Sequence, residues 1–115
     1  MNKSRRKRLT SVVNSLEELS EDTERGKVET TLQESQEEVE LIADEEQEAI
    51  DMLPENLQFS QRADDMNDNV FDLQDASAEL ETALAEYQES DKTTFNDIED
   101  SVNSAVGSIN NAIDR

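Results

Sequence analysis

The side chains that most often carry enzyme chemistry are missing from this sequence, which has no His, no Cys and no Trp. Without His, the usual general base near neutral pH is absent, and neither a Ser-His nor a Cys-His nucleophile pair can form. Carboxylates can act as acids and bases when burial separates their pKa values, but a run such as Asp44-Glu45-Glu46 is typical of a solvated helix face. We therefore expect a non-enzymatic protein with no catalytic residues and no cofactor.

One Asp-rich and Asn-rich stretch has the spacing of a calcium-binding loop over part of its length. If Asp65 is the first ligand, Asn67 and Asn69 occupy the third and fifth positions. However, Val70 stands where the loop needs Gly, and Ala76 stands where it needs a bidentate Glu. We expect a solvated helix face here and no metal site.

Carboxylates dominate the chain, with 30 Asp and Glu against 10 Lys and Arg and a formal net charge of -20. A body this negative is repelled by nucleic acids and anionic membranes but attracted to basic protein clefts. Carboxylates one helical turn apart are separated by about 6 Å, close to the phosphate spacing of a nucleic-acid strand. The candidate partner-binding acidic face consists of Glu37, Glu38, Asp44, Glu45, Glu48, Asp51, Asp64, Asp65, Asp68, Asp72 and Asp75.

The positive charge is concentrated at the start of the chain, within a basic N-terminal tail at residues 1–8 that contains Lys3, Arg5, Arg6, Lys7 and Arg8. Such a segment fits phosphate on a nucleic acid or an anionic lipid. No aromatic residue lies within it to stack on bases. The alternative is a flexible tail that neutralises the acidic body.

The elements that must present these charges are helices, because the chain has only two Gly and one Pro and apolar residues recur at heptad spacing. We predict an all-α domain at 9–115, with a helix at 9–53, a turn at 54–59, a helix at 60–89 and a helix at 94–113. Pro54 ends the first helix, and Ser60 is the N-cap of the second. The predicted helix seam consists of Leu32, Val39, Ile42, Leu53, Met66, Val70, Leu73, Leu80 and Leu84.

This pattern predicts a long antiparallel helical hairpin or coiled coil, with the first arm about 65 Å long. Folding about Pro54 should bring the basic tail close to Asp97, Glu99 and Asp100. The segment 90–94 is either a stutter in one helix or a break before a third, C-terminal helix. A homodimer is expected because the apolar stripes exceed what one seam covers. A kinked continuous helix and a disordered chain are the alternatives.

The order of features resembles small acidic coiled-coil proteins encoded by bacteriophages and integrated elements of Gram-positive bacteria. The resemblance rests on the basic opening Arg5-Arg6-Lys7, the acidic run 44–49, the turn 53–58 and the acidic heptad arm that follows. It covers about two thirds of the chain, and the Ser-rich and Asn-rich end at 101–115 departs from it. The resemblance implies a phage accessory role, and phages also encode acidic anti-restriction and anti-CRISPR decoys.

Three functions follow as hypotheses. The first is an acidic nucleic-acid mimic that inhibits a basic, nucleic-acid-binding host defence protein, with no direct nucleic-acid binding by the acidic body. The second is a structural or adaptor coiled coil, and the third is tethering to nucleic acid or membrane through the basic tail. No apolar run approaches the length of a membrane span, and no secretory signal follows the basic start. We expect a cytoplasmic protein, in the host cell if it is phage-encoded.

Overall fold

The computed structural model describes all 115 residues and contains no β-strand, so the all-α prediction is confirmed. Its four α-helices are α1 (Lys3–Glu17), α2 (Arg25–Asp51), α3 (Gln61–Glu89) and α4 (Phe95–Asp114), and a short 3-10 helix spans Glu55–Leu57. Each helix is antiparallel to the one before it. In space α1 lies beside α2 and α4, and α3 completes the ring between α2 and α4. The molecule measures 54 × 22 × 18 Å.

The first arm differs from the single helix expected at 9–53, because residues 18–24 separate α1 from α2. The backbone N–H of Ser20 donates to the Thr23 hydroxyl, which holds this segment in a turn. The Leu19 side chain is buried in the core and so anchors the turn to the bundle. In the sequence, the heptad spacing of apolar residues changes phase near Gly26, just after this break. The break shortens the rod, since α1 folds back against α2.

The other two connections follow local rules. The α2–α3 turn contains Pro54, whose carbonyl accepts the backbone N–H of Leu57, and the Ser60 hydroxyl accepts the Ala63 N–H as the N-cap of α3. The segment that the sequence left open is a break, since α3 ends at Glu89 and α4 begins at Phe95. Thr94 and Asp97 form a capping box at the start of α4.

Arg25, in the first turn of α2, links α2 to the C-terminal end of α3 and the segment that follows it. Its guanidinium donates hydrogen bonds to the carbonyl oxygens of Tyr87, Ser90, Asp91 and Thr93. It also lies 4.2 Å from the centroid of the Tyr87 ring, within cation–π range. The unpaired carbonyls at the C-terminus of α3 are thereby satisfied by a side chain from another helix.

A single apolar cluster of 21 buried residues, drawn from all four helices and the segment after α1, forms the main core. Of the predicted seam residues, Leu53 and Leu84 are half-buried and the others are buried, namely Leu32, Val39, Ile42, Met66, Val70, Leu73 and Leu80. The apolar stripes that led us to expect a second chain are therefore covered within one chain, by α1 and α4. None of the four helices combines the length and apolar character that a membrane-crossing helix needs.

Candidate functional site: inner and outer carboxylates

The predicted acidic face is divided in two by the position of α1. Residues 1–8 are not a free tail, because α1 begins at Lys3 and packs against α2. The expected approach of the tail to Asp97, Glu99 and Asp100 is wrong: the arginines at this end contact carboxylates of α2 instead. The reason is the break at 18–24, which turns α1 back along α2 before the chain reaches Pro54.

Arg8 is the centre of the first ion-pair group. Its Nε lies 2.6 Å from an oxygen of Glu38, and its Nη1 lies 2.7 Å from an oxygen of Glu45. The hydrogen bond from Arg8 lowers the pKa of Glu45, with burial acting in the opposite direction. The same hydrogen bonds, from Glu45 first and then Glu38, raise the pKa of Arg8. Glu38 and Glu45 are each about one-third exposed, so these pairs are only partly shielded from water.

A second group surrounds Glu46, a carboxylate with 0% exposure. Its oxygens lie 3.3 Å from Nη2 of Arg5 and 3.5 Å from the amino nitrogen of Met1, and Asn69 of α3 donates a hydrogen bond of 2.9 Å to it. Asn69 in turn accepts a 3.1 Å hydrogen bond from Arg115. The group is a polar layer across the bundle, built from residues at both ends of the chain.

Arg115 also pairs with Asp72 of α3 at 2.7 Å, and Arg25 pairs with Glu29 at 3.7 Å. The carboxylates in ion pairs are thus Glu29, Glu38, Glu45, Glu46 and Asp72, which leaves 25 of the 30 acids without a cation. Four arginines account for every side-chain cation in these pairs. The remaining charge of the body is therefore uncompensated.

The unpaired carboxylates cover the outer surface of α2 and α3. Among the predicted partner-binding residues, those that are exposed and unpaired are Glu37, Asp44, Glu48, Asp51, Asp64, Asp68 and Asp75. Asp65 is half-buried and accepts a hydrogen bond from Gln61. We call this exposed and unpaired set the outer acidic surface. We call the four acids that pair with an arginine of another element the inner acids, namely Glu38, Glu45, Glu46 and Asp72.

A groove lies between α2 and α3, and Asp44 is the one residue of the outer acidic surface that lines it. Glu40 and Asp44 line it from α2 and Glu81 lines it from α3, while the small side chains of Ala43 and Ala78 leave it open. A groove of this kind can hold the extended side chain of a lysine or arginine. Glu40 lies one turn from Asp44 and could have been identified from the sequence, whereas Glu81 depends on which side of α3 faces α2.

Of the cations assigned to a tail, Lys3 and Lys7 are exposed and in no ion pair, while Arg6 is half-buried. Residues 65–76, considered for calcium, lie within α3 and form no loop. No three carboxylates come close enough together to hold a metal ion. The sequence analysis missed Glu46 and Asn69 as buried groups, although Glu46 falls on the apolar step after Ile42. No family model, curated protein or solved structure matches this chain.

Proposed function

We propose that this protein is a non-enzymatic accessory protein whose outer acidic surface takes the place of nucleic acid on a basic, nucleic-acid-binding defence protein. The antiparallel pair of α2 and α3, the hairpin part of the sequence prediction, presents the carboxylates. The phage origin and the anti-restriction or anti-CRISPR role come from the sequence resemblance, and place the action in a host cytoplasm.

The observation that carries the proposal is the distribution of cations. All four arginines in ion pairs bind the inner acids or acids at the bundle ends, and none pairs with the outer acidic surface. A carboxylate whose role was to stabilise a helix would be expected to have a Lys or Arg three or four residues away, where the ion pair adds stability. An unpaired acidic surface instead gives long-range attraction to a basic cleft and raises the rate of encounter.

The test is a binding comparison between two variants with the same change in charge. The outer variant neutralises four exposed acids of α2 and consists of Glu37→Gln, Asp44→Asn, Glu48→Gln and Asp51→Asn. The control variant neutralises four exposed acids elsewhere and consists of Asp22→Asn, Glu99→Gln, Asp100→Asn and Asp114→Asn. Neither set includes an ion-paired residue, so both variants should keep the helical content of the wild type.

Each protein is immobilised and exposed to nuclease-treated bacterial lysate at low and high salt, and bound proteins are displaced with duplex DNA. We expect the wild type and the control variant to capture nucleic-acid-binding proteins that DNA displaces and that high salt releases. The outer variant should lose them. Recovery of only salt-resistant proteins that bind no nucleic acid would contradict the proposal.

The two alternatives give different results in the same assay. An adaptor would keep its partners at high salt, and salt resistance is therefore the criterion. Substitution of the seam residues Leu73 and Leu80 is not a usable test, because both are fully buried and their replacement would disturb the fold itself. Tethering through the N-terminal cations is tested by Lys3→Gln with Lys7→Gln, because deletion of residues 3–8 would also remove Arg5 and Arg8 from their ion pairs. The predicted homodimer stays a prediction, to be measured by sedimentation equilibrium.

A further inference from the structure

The end of the α2–α3 pair projects beyond the four-helix part of the molecule. The polar layer at Glu46 and Asn69 contacts Met1, just before α1, and Arg115, just after α4. Residues 47–70, which we call the tip, make no hydrogen bond or ion pair with α1 or α4, apart from the bond between Asn69 and Arg115. Their own apolar cluster is small, with Ile50, Met66 and Val70 buried, and it is separate from the main core.

The tip exposes large apolar side chains that this small cluster cannot cover. Phe59 is 96% exposed and Met52 is 77% exposed. Both lie in the connection between α2 and α3. The other two exposed large apolar residues are Leu41 of α2 and Phe71 of α3, and none lies on α1 or α4. Exposed aromatic and methionine side chains at one end of a molecule are typical of a protein contact site, where a few such side chains carry most of the binding energy.

The turn that carries Phe59 is ordered by polar contacts rather than by Phe59 itself. The Gln58 side chain donates a 2.8 Å hydrogen bond to the carbonyl of Leu53, and the Ser60 hydroxyl donates one of 2.7 Å to the carbonyl of Leu57. Phe59 is therefore presented on a fixed backbone, and little ordering is needed when it binds. Its removal should leave the fold intact, so a loss of binding would report on contact alone.

Charge decides which occupant fits this surface. The tip contains one cation, Arg62, and six acids, namely Glu48, Asp51, Glu55, Asp64, Asp65 and Asp68. A second copy of the chain would bring two such negative surfaces together, and like charges in one interface oppose association. A basic protein surface would be attracted to the same acids. The charge of the tip therefore favours a basic protein surface over a second copy of the chain.

We propose that Phe59 and Met52 anchor the protein by inserting into an apolar pocket on a basic partner protein, while the carboxylates of the tip contact the lysines and arginines around that pocket. This inference rests on the proposed function and adds to it the part of the surface that makes apolar contact with the partner. Only a basic protein that has such an apolar pocket gains affinity from Phe59. The tip therefore gives the mimic a means of favouring one basic protein over others.

The probes are two synthetic helical peptides of equal lysine content, one with a leucine face and one with glutamine in place of each leucine. The tip variant is Met52→Ser with Phe59→Ser. The matched control is Leu41→Ser with Phe71→Ser, which removes the same kinds of exposed side chain from outside the tip. Affinities are measured by fluorescence anisotropy at low and at physiological salt, and association of the protein alone is measured by sedimentation equilibrium.

We expect the wild type and the matched control to bind the leucine peptide about tenfold more tightly than the glutamine peptide. The tip variant should lose this preference and keep its affinity for the glutamine peptide. An unchanged preference in the tip variant overturns the proposal, and so does a wild-type dimer that dissociates when the tip is changed. Glutamine-peptide binding that is the same in the wild type and the outer variant would count against the proposed function instead, so the two failures are distinguishable.

Discussion

The inner acids and the outer acidic surface are made of the same two residue types on the same two helices, yet they contribute to the molecule in opposite ways. Glu45 accepts a 2.7 Å hydrogen bond from Arg8, whereas Glu48, three residues further along α2, is exposed and has no cation. Within α2, the position of α1 and not the local sequence decides which carboxylates stabilise the fold, while Asp72 of α3 is held by Arg115. The remaining carboxylates are not held by a cation and repel one another.

The largest effect should come from Glu46→Ala. The change removes the buried carboxylate that pairs with Arg5 and the Met1 amino group, leaving Arg5 only its longer 4.0 Å contact with Glu45. It also leaves Asn69 without its acceptor. Breaking a buried charge group by removing one member costs about 3–5 kcal/mol. Chemical denaturation followed by circular dichroism should show this loss in the free energy of unfolding, and a cost below about 1 kcal/mol would contradict the assigned role of the polar layer.

The most direct comparison between the two groups of acids is Glu45→Gln against Glu48→Gln. We expect Glu45→Gln to lower the free energy of unfolding by about 1 kcal/mol, a modest value because the pair is partly exposed. Glu48→Gln should leave stability unchanged or raise it slightly, since it removes a repelling charge. Equal effects on the thermal midpoint would mean that the division into inner and outer acids has no energetic meaning.

The pH dependence of stability should separate the same two groups. Because the pKa of Glu45 is lowered in the folded protein, its ion pair stabilises the fold above the ordinary carboxyl pKa and is lost as pH falls through the lowered value. The gap in thermal midpoint between wild type and Glu45→Gln should therefore be constant from neutral pH down to about pH 5 and close below about pH 4. A gap that widens on acidification would contradict a lowered pKa of Glu45 in the folded protein. The raised pKa of Arg8 has no effect in this range, because Arg8 stays protonated.

Salt should produce the smallest of these effects. Screening weakens repulsion among the 25 unpaired carboxylates more than it weakens the few shielded ion pairs. We expect the thermal midpoint to rise by a few degrees as salt is added, and to rise less in the outer variant, which has four fewer charges. A midpoint that falls with salt in the wild type would mean that the ion pairs outweigh the repulsion.

The helical elements could be predicted from the sequence because the forces that set them act over a few residues. Heptad spacing identified side chains that are buried, such as Leu32, Leu73 and Leu80, and Pro54 with Ser60 marked the turn and the N-cap. The break at 18–24 was only a slip in spacing near Gly26, which local rules do not distinguish from a change of phase along one helix.

Composition and apolar spacing are enough to predict an all-helical, strongly acidic protein without the side chains of common catalytic sites. Which carboxylates are structural depends instead on contacts between distant parts of the chain. Arg8 finds Glu38 and Glu45 across 30 and 37 residues of chain, and Glu46 meets groups from both ends of the protein. Such partners depend on the direction in which the chain turns at 18–24. The hydrogen bond from Ser20 to Thr23 is local, but α1 lies along α2 because its apolar face is buried in the shared core.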